Sequence, residues 1–306
     1  MPKIVAVLLS TYNGAQYLEE YLDSLVSQDR QDITLFVRDD GSSDETLQIL
    51  KKHRENSRLT LHMLDSDAHL GAAQSFLRLL GVAGDSFETY AFADQDDIWL
   101  PDKLTRAVNK LATIPWDVPG LYCSRLEYVD EKARPLKWSN IPRKIDFGNA
   151  VVENIATGCS TVINQSARAL ILSRLPNAPI MHDWWCYLVV SCFGSVVFDE
   201  YPGVKYRQHG GNAIGAPTTS YSELGRRVNR IIYSDGGVFR FSDQAKEFLA
   251  AFGDRIPDDQ RQVLNLAISG KSIFKDRIRL AKTRKIWRQR KIDDWMTRIL
   301  IIMNHY

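Results

Sequence analysis

Two acidic clusters carry the clearest chemistry in this sequence of 306 residues. The first is the run Asp-Asp-Gly-Ser-Ser-Asp at 39–44, and the second is the run Asp-Gln-Asp-Asp at 94–97. Carboxylates gathered at one site repel each other and persist only where something positive joins them. Their oxygens are the ligands that Mg²⁺ and Mn²⁺ prefer, and such a cation in turn bridges a diphosphate. The two runs together therefore predict a divalent metal and a diphosphate ligand.

Each acidic run also has a purely structural interpretation. Asp, Gly and Ser are turn-forming residues, so the run at 39–44 is typical of a turn followed by a helix cap. Adjacent carboxylates directly after a hydrophobic strand, as at 94–97, have no packing purpose. A functional role is therefore favoured for 94–97, and for 39–44 it depends on the two runs lying together.

The predicted strands bring these runs to one edge of a sheet. Hydrophobic runs predict buried strands at 4–9, 33–37, 59–64 and 89–93. The first ends at Ser10, Thr11 and Tyr12, and two of the others end at the acidic runs. Ligands of open α/β sheets bind beyond the carboxyl ends of the strands, so these polar residues are candidates for one site.

Helices alternate with these strands, which predicts an α/β fold with a doubly wound, mostly parallel sheet. They are predicted at 15–28, 43–55 and 72–80 and from Pro101 onward. Further along, strands are predicted at 120–129, 157–164, 195–199 and 204–207, helices at 166–175 and 183–193, and an irregular stretch at 130–149. From about residue 221 the pattern is that of consecutive helices with no further strand.

A second group of candidate residues lies in the middle of the chain. Asp183 begins a predicted helix, where its carboxylate is typical of a helix cap and would also be presented at the sheet edge. Trp184 and Trp185 follow it, and because one face of the helix must be buried, packing in the core is one role open to them. Arg207 and His209 lie in a loop that continues with two glycines, where the guanidinium would hold phosphate and a neutral imidazole would bind a metal.

Composition and charge narrow the class of protein. Hydrophobic residues make up 44% and charged residues 25% of the chain, as in ordinary globular proteins. The net charge of +2 hides an asymmetry: residues 271–291 hold ten Lys/Arg and one acid, and the remainder holds 29 Lys/Arg and 36 Asp/Glu. The segment is therefore +9 and the rest of the chain −7. The four cysteines have no metal-ligand spacing, and no apolar run approaches the ~20 residues of a membrane span.

The basic segment 271–291 predicts a docking surface. It is compatible with one amphipathic helix in which six apolar residues share a side: Ile273, Phe274, Ile278, Ala281, Ile286 and Trp287. Cations interleaved with such residues are typical of a helix that lies on an anionic membrane surface. Packing on the rest of the chain, or in a homodimer, is the alternative that the sequence leaves open. The segment lacks a nucleic-acid-binding motif, so no nucleic-acid partner is predicted.

The motifs together resemble the family 2 glycosyltransferases, whose catalytic domain has the GT-A fold. The resemblance covers about residues 1 to 215 and five stretches in the order of the family: VLLSTYNG (7–14), VRDDGSSDET (37–46), FADQDDIWLPDKL (92–104), the segment around HDWW (182–185) and YRQHGGN (206–212). The last three variants are most similar to the bacterial rhamnosyltransferases of surface-polysaccharide synthesis. The resemblance implies a GT-A domain at 1–215, with a nucleotide-binding half (1–112) and an acceptor half (113–215). A helical region at 216–306 follows.

The resemblance also implies residue roles. It assigns the nucleotide sugar to Ser10, Thr11, Tyr12, Asp39, Asp40, Asp94 and Arg207. Asp96 is expected to bind Mg²⁺ or Mn²⁺ together with His209, and Asp97 to cap a turn. Asp183 matches the catalytic base, with Trp184 and Trp185 at the acceptor. The residue before the base is commonly Glu in the family, and the role of His182 in this chain stays open.

The expected activity is the transfer of a sugar, with inversion, from a dTDP- or UDP-sugar to a glycan or polyprenyl-linked glycan. L-rhamnose from dTDP-rhamnose is the expected donor group, and the cytoplasmic face of the cell membrane the expected location. A nucleotidyltransferase is one alternative, although the loop at 10–16 lacks the Arg or Lys typical of that class. A non-catalytic nucleotide- or carbohydrate-binding module is the other, and such a module needs no catalytic base.

Overall fold

A computed structural model describes residues 5–56, 59–65, 68–177, 180–209, 233–234, 237–238 and 241–306. The chain divides into two compact units, each built from three segments. The first unit holds Met1–Ile141, Ala156–Ser173 and Met181–Gln208. The second holds Pro142–Ile155, Arg174–Ile180 and His209–Tyr306. The sequence-based division at residue 215 instead placed 142–155 and 174–180 in the catalytic domain.

The described residues form strands and helices in the following order. The strands are β1 (Val5–Thr11), β2 (Ile33–Asp39), β3 (Thr60–Leu64), β4 (Thr89–Asp94), β5 (Ile98–Trp99), β6 (Gly120–Val129), β7 (Pro135–Trp138), β8 (Val162–Asn164), β9 (Ser195–Arg207), β10 (Tyr233–Ser234) and β11 (Gly237–Val238). The helices are α1 (Ala15–Val26), α2 (Thr46–Asn56), α3 (Ala72–Val82), α4 (Lys103–Leu111), α5 (Phe147–Ala150), α6 (Gln165–Ser173), α7 (His182–Phe193), α8 (Phe241–Phe252), α9 (Asp258–Ser269), α10 (Phe274–Lys282) and α11 (Lys291–Ile302).

The first unit is a mixed, mostly parallel sheet with helices on both faces, as the alternating pattern predicts. Its strand order is β3-β2-β1-β4-β8-β6-β9-β5, with β7 paired to β6. Strands β3, β2, β1 and β4 are parallel, as are β6 and β9, whereas β8 is antiparallel to both of its neighbours. Helices α1, α2 and α4 share one core cluster with the sheet, and α3 contacts α6 and α7.

The register of the three central strands sets the position of the site. Ser10 of β1 lies opposite both Arg38 of β2 and Asp94 of β4, and Thr11 lies opposite Asp39. The carboxyl ends of the three strands therefore stop at one level. Buried apolar residues fill these strands because helices cover both faces of the sheet. The two acidic runs consequently begin side by side at the sheet edge.

Three expectations for the second half of the first unit differ from the structure. The two strands predicted at 195–199 and 204–207 form a single strand, β9, whose pairing with β6 shifts register around Pro202. Proline cannot donate to a ladder, so the pattern breaks while the strand continues. The strand predicted at 157–164 is a 3₁₀ turn, Gly158–Ser160, followed by the short β8. The stretch predicted as irregular contains β7.

In the second unit, residues 271–291 do not form the single continuous basic helix with which the sequence is compatible. Helix α10 ends at Lys282 and α11 begins at Lys291. The segment between the two helices is not helical, and the Arg298 guanidinium stabilises it by donating hydrogen bonds to the carbonyl oxygens of Ala281, Thr283 and Ile286. The unit also contains the short β10–β11 pair, where only helices were predicted. No helix in the described part of the chain is long and apolar enough to cross a membrane.

Candidate functional site

Asp39 at the end of β2 organises the loop that follows it. Its Oδ1 accepts hydrogen bonds from the hydroxyls of Thr11 (2.8 Å) and Ser42 (2.6 Å). Its Oδ2 accepts from the backbone N–H groups of Gly41 (3.1 Å) and Ser42 (2.8 Å). Both oxygens are thus occupied, and the carboxylate ties the end of β1 to the loop after β2.

Asp40 is likewise held by donors of the protein. Arg38 forms a buried ion pair with its Oδ1, and the N–H groups of Leu70 and Gly71 donate at 2.8 Å each. Burial raises the pKa of Asp40, but these hydrogen bonds outweigh it and leave the pKa below its ordinary value. The exposed His69 ring lies 3.1 Å from Oδ2. A nucleotide that bound Asp40 would therefore compete with His69, its most accessible partner.

An aromatic pair and an amide bridge flank these carboxylates. Tyr12 is 50% exposed, and its ring centroid lies 5.0 Å from that of His69. Gln95 bridges the loops after β1 and β4, because its side-chain amide accepts from Tyr12 N–H (3.0 Å) and donates to Tyr12 C=O (2.9 Å). A Cβ on Gly14 would lie 2.1 Å from Gln95 Oε1, so glycine is required there for the bridge.

The turn after β4 concentrates negative charge. Burial and the neighbouring carboxylates of Asp96 and Asp183 raise the pKa of Asp94 to about 8. Asp97 is fully buried, and its pKa is also raised by burial, Asp96 and Asp94. The Asp97 Oδ1 accepts from the Arg207 N–H at 3.0 Å, whereas its Oδ2 has no hydrogen-bond partner. Ionising all of these groups together is costly unless a cation is bound.

The donor set at this turn fits a hard divalent cation. Ligand atoms of Asp94, Asp97 and Cys159 lie within 4.8 Å of one another. Burial and Asp97 raise the pKa of the Cys159 thiol, and a protonated thiol is a poor ligand for Mg²⁺ or Mn²⁺. Asp94 and Asp96 are only partly buried, so their carboxylates are the accessible oxygens. A cation among the carboxylates would offset the repulsion that raises the pKa of Asp94.

Behind the turn lies a group that sequence reasoning missed. Lys103 is completely buried, its Nζ lies 3.5 Å from the centroid of the Trp99 ring, and it has no hydrogen-bond partner. Burial lowers the pKa of Lys103 to about 7, although Cys159 and Asp97 act in the opposite direction. Trp99 Nε1 and the Tyr21 hydroxyl are unpartnered as well. A lysine in the first turn of a helix is expected at the surface, so the sequence alone does not indicate that Lys103 is buried.

Arg207 has a different position from the one expected for a phosphate ligand. It is 1% exposed, and its guanidinium donates to the carbonyl oxygens of Asp96 (2.8 Å) and Glu131 (2.7 Å) and pairs with Glu20. These bonds fix the backbone of the acidic turn, so Arg207 positions the turn in this structure, and its binding of a diphosphate stays a prediction. His209 begins a segment of the second unit, and metal binding by it stays a prediction.

Asp183 lies in the first turn of α7, after the cap residue Met181. Its Oδ1 accepts from Trp184 N–H (2.6 Å) and its Oδ2 from Gly158 N–H (2.8 Å). The charge of Asp183 contributes to the raised pKa of Asp94, so the two carboxylates are electrostatically coupled. The structure thus brings Asp183 to the same edge of the sheet as the acidic turn.

The residues beside Asp183 differ in accessibility. Trp185 is 1% exposed and belongs to the core, whereas Trp184 is partly exposed. Only Trp184 is therefore placed to contact an acceptor in this conformation. His182 is buried and stacks on Phe76 with a centroid distance of 4.0 Å. Burial lowers the pKa of His182 to about 3, so the ring is neutral at physiological pH.

The fold and site define a GT-A glycosyltransferase, and comparison with known proteins agrees. The family model "Glycosyl transferase family 2" matches residues 6–165. The chain belongs to that family.

One sequence relative and two solved structures illustrate the similarity. A "dTDP-rhamnosyl transferase RfbG" of Shigella flexneri is 29% identical over 236 residues, which are 72% of this chain and 80% of the relative. The structure of S. aureus TarS 1-349 with UDP-GlcNAc matches with a TM-score of 0.60 and 16% identity, covering 99% of this chain and 82% of that one. The mannosyltransferase PcManGT of Pyrobaculum calidifontis, with GDP-Man and Mn²⁺, matches with a TM-score of 0.52 and 17% identity over 98% and 85%.

Proposed function

We propose that the protein transfers L-rhamnose, with inversion and with a divalent metal, from dTDP-rhamnose to a hydroxyl of a glycan or polyprenyl-linked glycan. The observation that carries this proposal is the meeting of the acidic turn after β4 with Asp183 at one sheet edge. The name of the Shigella flexneri relative, a dTDP-rhamnosyl transferase, supports the choice of donor. The Mn²⁺ in a structure of the same fold supports the metal.

Asp94 and Asp96 are the proposed metal ligands, Asp94 also facing the donor ribose. A bound Mg²⁺ or Mn²⁺ supplies a Lewis acid beside the leaving diphosphate. Protein residues prepare that position: the Asp96 carbonyl is fixed by Arg207, and Gln95 ties the turn to Tyr12. His209 remains a proposed further ligand.

The donor nucleotide is proposed to lie over the ends of β1 and β2. Tyr12 with His69 offers an exposed aromatic surface on which a thymine base stacks. Ser10 and Thr11 frame the same edge, and Asp39 or Asp40 contacts the base or ribose. Because both carboxylates are saturated by protein donors, this contact replaces Ser42 or His69 as the partner.

Asp183 is the proposed general base. It takes the proton of the acceptor hydroxyl as the hydroxyl oxygen bonds to the anomeric carbon and the diphosphate leaves. A single displacement of this kind inverts the anomeric configuration. The two N–H donors on Asp183 hold its oxygens in place, which keeps the carboxylate aimed while the acceptor exchanges. Trp184 is the proposed contact to the acceptor sugar.

The test is a donor panel with the intact protein. Release of nucleoside diphosphate from dTDP-rhamnose, dTDP-glucose, UDP-glucose and UDP-GlcNAc is measured with Mn²⁺, with Mg²⁺ and with EDTA. We expect release that depends on the metal and is fastest with dTDP-rhamnose. Equal turnover in EDTA would refute metal dependence, and preference for a UDP-sugar would refute the donor.

The base is tested with Asp183→Asn against Asp117→Asn, an exposed carboxylate of the same unit. We expect Asp183→Asn to lower kcat by about 10²-fold or more, the usual range for loss of a general base, with donor affinity retained. Asp117→Asn should leave both values unchanged. Near-normal transfer by Asp183→Asn would show that another group removes the proton.

A further inference from the structure

The ten cations of residues 271–291 fall into two groups in the structure. Five are engaged within the second unit, by carbonyl oxygens or carboxylates: Lys271, Arg277, Arg279, Lys285 and Arg288. The other five are exposed and have no side-chain partner among the described residues: Lys275, Lys282, Arg284, Arg290 and Lys291. Half of the basic charge therefore stabilises the unit, and half is available to a partner.

Helix α10 arranges two of the available cations around two apolar side chains, the exposed Phe274 and the half-buried Ile278. Lys275, Ile278, Arg279 and Lys282 follow the spacing i, i+3, i+4 and i+7, which places them on one face of the helix. Phe274 at the start of the helix is 63% exposed. We call these five residues the outer face of α10. Leu280, on the opposite side of the helix, and Ala281 are buried and anchor α10 to the unit.

The outer face of α10 continues into a shallow groove and is accompanied by a second apolar stripe. Leu266 of α9 lines the groove together with Phe274 and Ile278. On α11 of the same unit, Ile292, Trp295 and Ile302 are exposed and recur at helical spacing. Tryptophan with its amphipathic ring is typical of the membrane–water interface. The unit thus presents bulky apolar groups beside free ammonium groups.

We propose that the outer face of α10 docks on an anionic phospholipid bilayer. Phe274 and Ile278 would enter the region between headgroups and acyl chains, while the Lys275 and Lys282 stems extend along it and leave their ammonium groups at the phosphates. Because Leu280 and Ala281 are already buried in the unit, docking needs no unfolding of α10. The face differs from the sequence prediction, in which Ala281 and Ile286 were part of the apolar side.

A second copy of the chain fits this face less well. In a two-fold symmetric dimer the same patch lies on both sides of the interface. Lys275 and Lys282 would then face the same lysines, since the outer face contains no acid and the neighbouring Asp276 already pairs with Arg279. The phosphates of a bilayer supply the missing negative charge. Docking is independent of the donor and goes beyond the proposed transfer reaction.

The test is sedimentation of the full chain with two kinds of vesicle, one of phosphatidylcholine alone and one that also contains about 30% phosphatidylglycerol. The anionic lipid gives the second kind a negative surface potential. We expect binding only to the anionic vesicles, weakened by salt. Lys275→Gln/Lys282→Gln should lower the partition coefficient about 30-fold, because each cation near an anionic surface contributes about fivefold. Phe274→Ser/Ile278→Ser should also release the protein from anionic vesicles.

The matched control is Lys51→Gln/Lys110→Gln, which removes two exposed helical lysines of the first unit. The control variant should bind vesicles as the wild type does. If it lost as much binding as Lys275→Gln/Lys282→Gln, the effect would come from net charge alone and the proposal would be overturned. Equal binding to neutral vesicles would overturn it too. A dimer that Phe274→Ser/Ile278→Ser converts to monomer would assign the face to a second copy. Donor turnover without vesicles is measured on every variant, so a failure of the transfer proposal is seen separately.

Discussion

At the scale of single residues, the unusual feature of the site is the buried polar group behind the acidic turn. Lys103, Trp99 and Tyr21 each leave a polar atom unpartnered, and Asp97 Oδ2 does so in front of them. Burying an ammonium without a hydrogen bond costs free energy unless its pKa falls. The unpartnered polar atoms of Lys103, Trp99 and Tyr21 therefore lower the stability of the region behind the acidic turn.

Lys103 predicts a specific dependence of stability on pH. The folded-state pKa of about 7 is below the ordinary lysine value of about 10.4, so between these values the unfolded chain holds a proton that the folded chain lacks. The cost of the buried ammonium is thus complete below pH 7 and disappears as the pH rises towards 10. Lys103→Met should raise the melting temperature at pH 6 by about 2 °C or more, and by less at pH 9. The exposed Lys110→Met in the same helix should show no such trend.

The surroundings of His182 predict that the shape of its ring contributes more to stability than its two nitrogens do. Both ring nitrogens lack hydrogen-bond partners, and the ring packs on Phe76 and Phe92. His182→Phe removes two unpartnered nitrogens but enlarges the ring, so a desolvation gain and an overpacking cost offset each other and stability should change by less than about 1.5 kcal/mol. His182→Ala leaves a cavity and should cost about 2–4 kcal/mol. If His182→Phe melts normally but loses kcat at unchanged KM, a ring nitrogen acts on Asp183.

At the scale of elements, the loops after β1 and β4 form one structure through Gln95 and Gly14. Gly14→Ala should displace the Gln95 amide and remove two hydrogen bonds to Tyr12, a loss of about 1–2 kcal/mol. Gly81→Ala in α3, where the nearest atom lies 4.0 Å from the new Cβ, should stabilise by up to about 1 kcal/mol. Thermal unfolding compares the two, and the KM for the donor should rise in Gly14→Ala only. If Gly14→Ala did not lower the melting temperature while Gly81→Ala left it equal or higher, the proposed bridge between the two loops would be wrong.

The elements also show what periodicity can predict. Strands β1 to β4 and helices α1 to α3 agree with prediction to within a few residues, because most of them, such as β1, β2, β4, α1 and α3, bury several apolar residues at the expected spacing. Prediction failed where tertiary hydrogen bonds decide the conformation. The break between α10 and α11 depends on Arg298, which lies far along the chain from the carbonyl oxygens that it binds. The burial of Arg207 depends similarly on Glu20 and Glu131.

At the scale of the whole molecule, both units are assembled from separated segments. In the second unit, Trp287 Nε1 donates to Asp146 Oδ1 (2.9 Å), and Gln289 N–H donates to Glu153 Oε2 (2.7 Å). A Cβ on Gly148 would lie 1.9 Å from the Lys285 carbonyl oxygen, so residues 142–155 pack closely on the C-terminal chain. This insertion cannot be recognised from the sequence, since no break in composition marks it.

Truncation tests this division. A fragment ending at residue 208 should be insoluble or should lack a cooperative unfolding transition, because the buried Phe147 loses its partner Phe248 and the buried Val151 and Val152 belong to the unit that is removed. The same fragment with 142–155 and 174–180 replaced by Gly/Ser linkers of equal length should recover solubility. It should also keep dTDP binding, since β1, β2 and the acidic turn belong wholly to the first unit, whereas a weaker effect of Mn²⁺ is expected if His209, which the fragment lacks, binds the metal. Circular dichroism melts and thermal shift with dTDP and Mn²⁺ measure both properties. A cooperative melt of the unmodified fragment would show that the segments 142–155 and 174–180 fold without the C-terminal helices, whereas failure of the linker fragment alone would show that the first unit needs the second to fold.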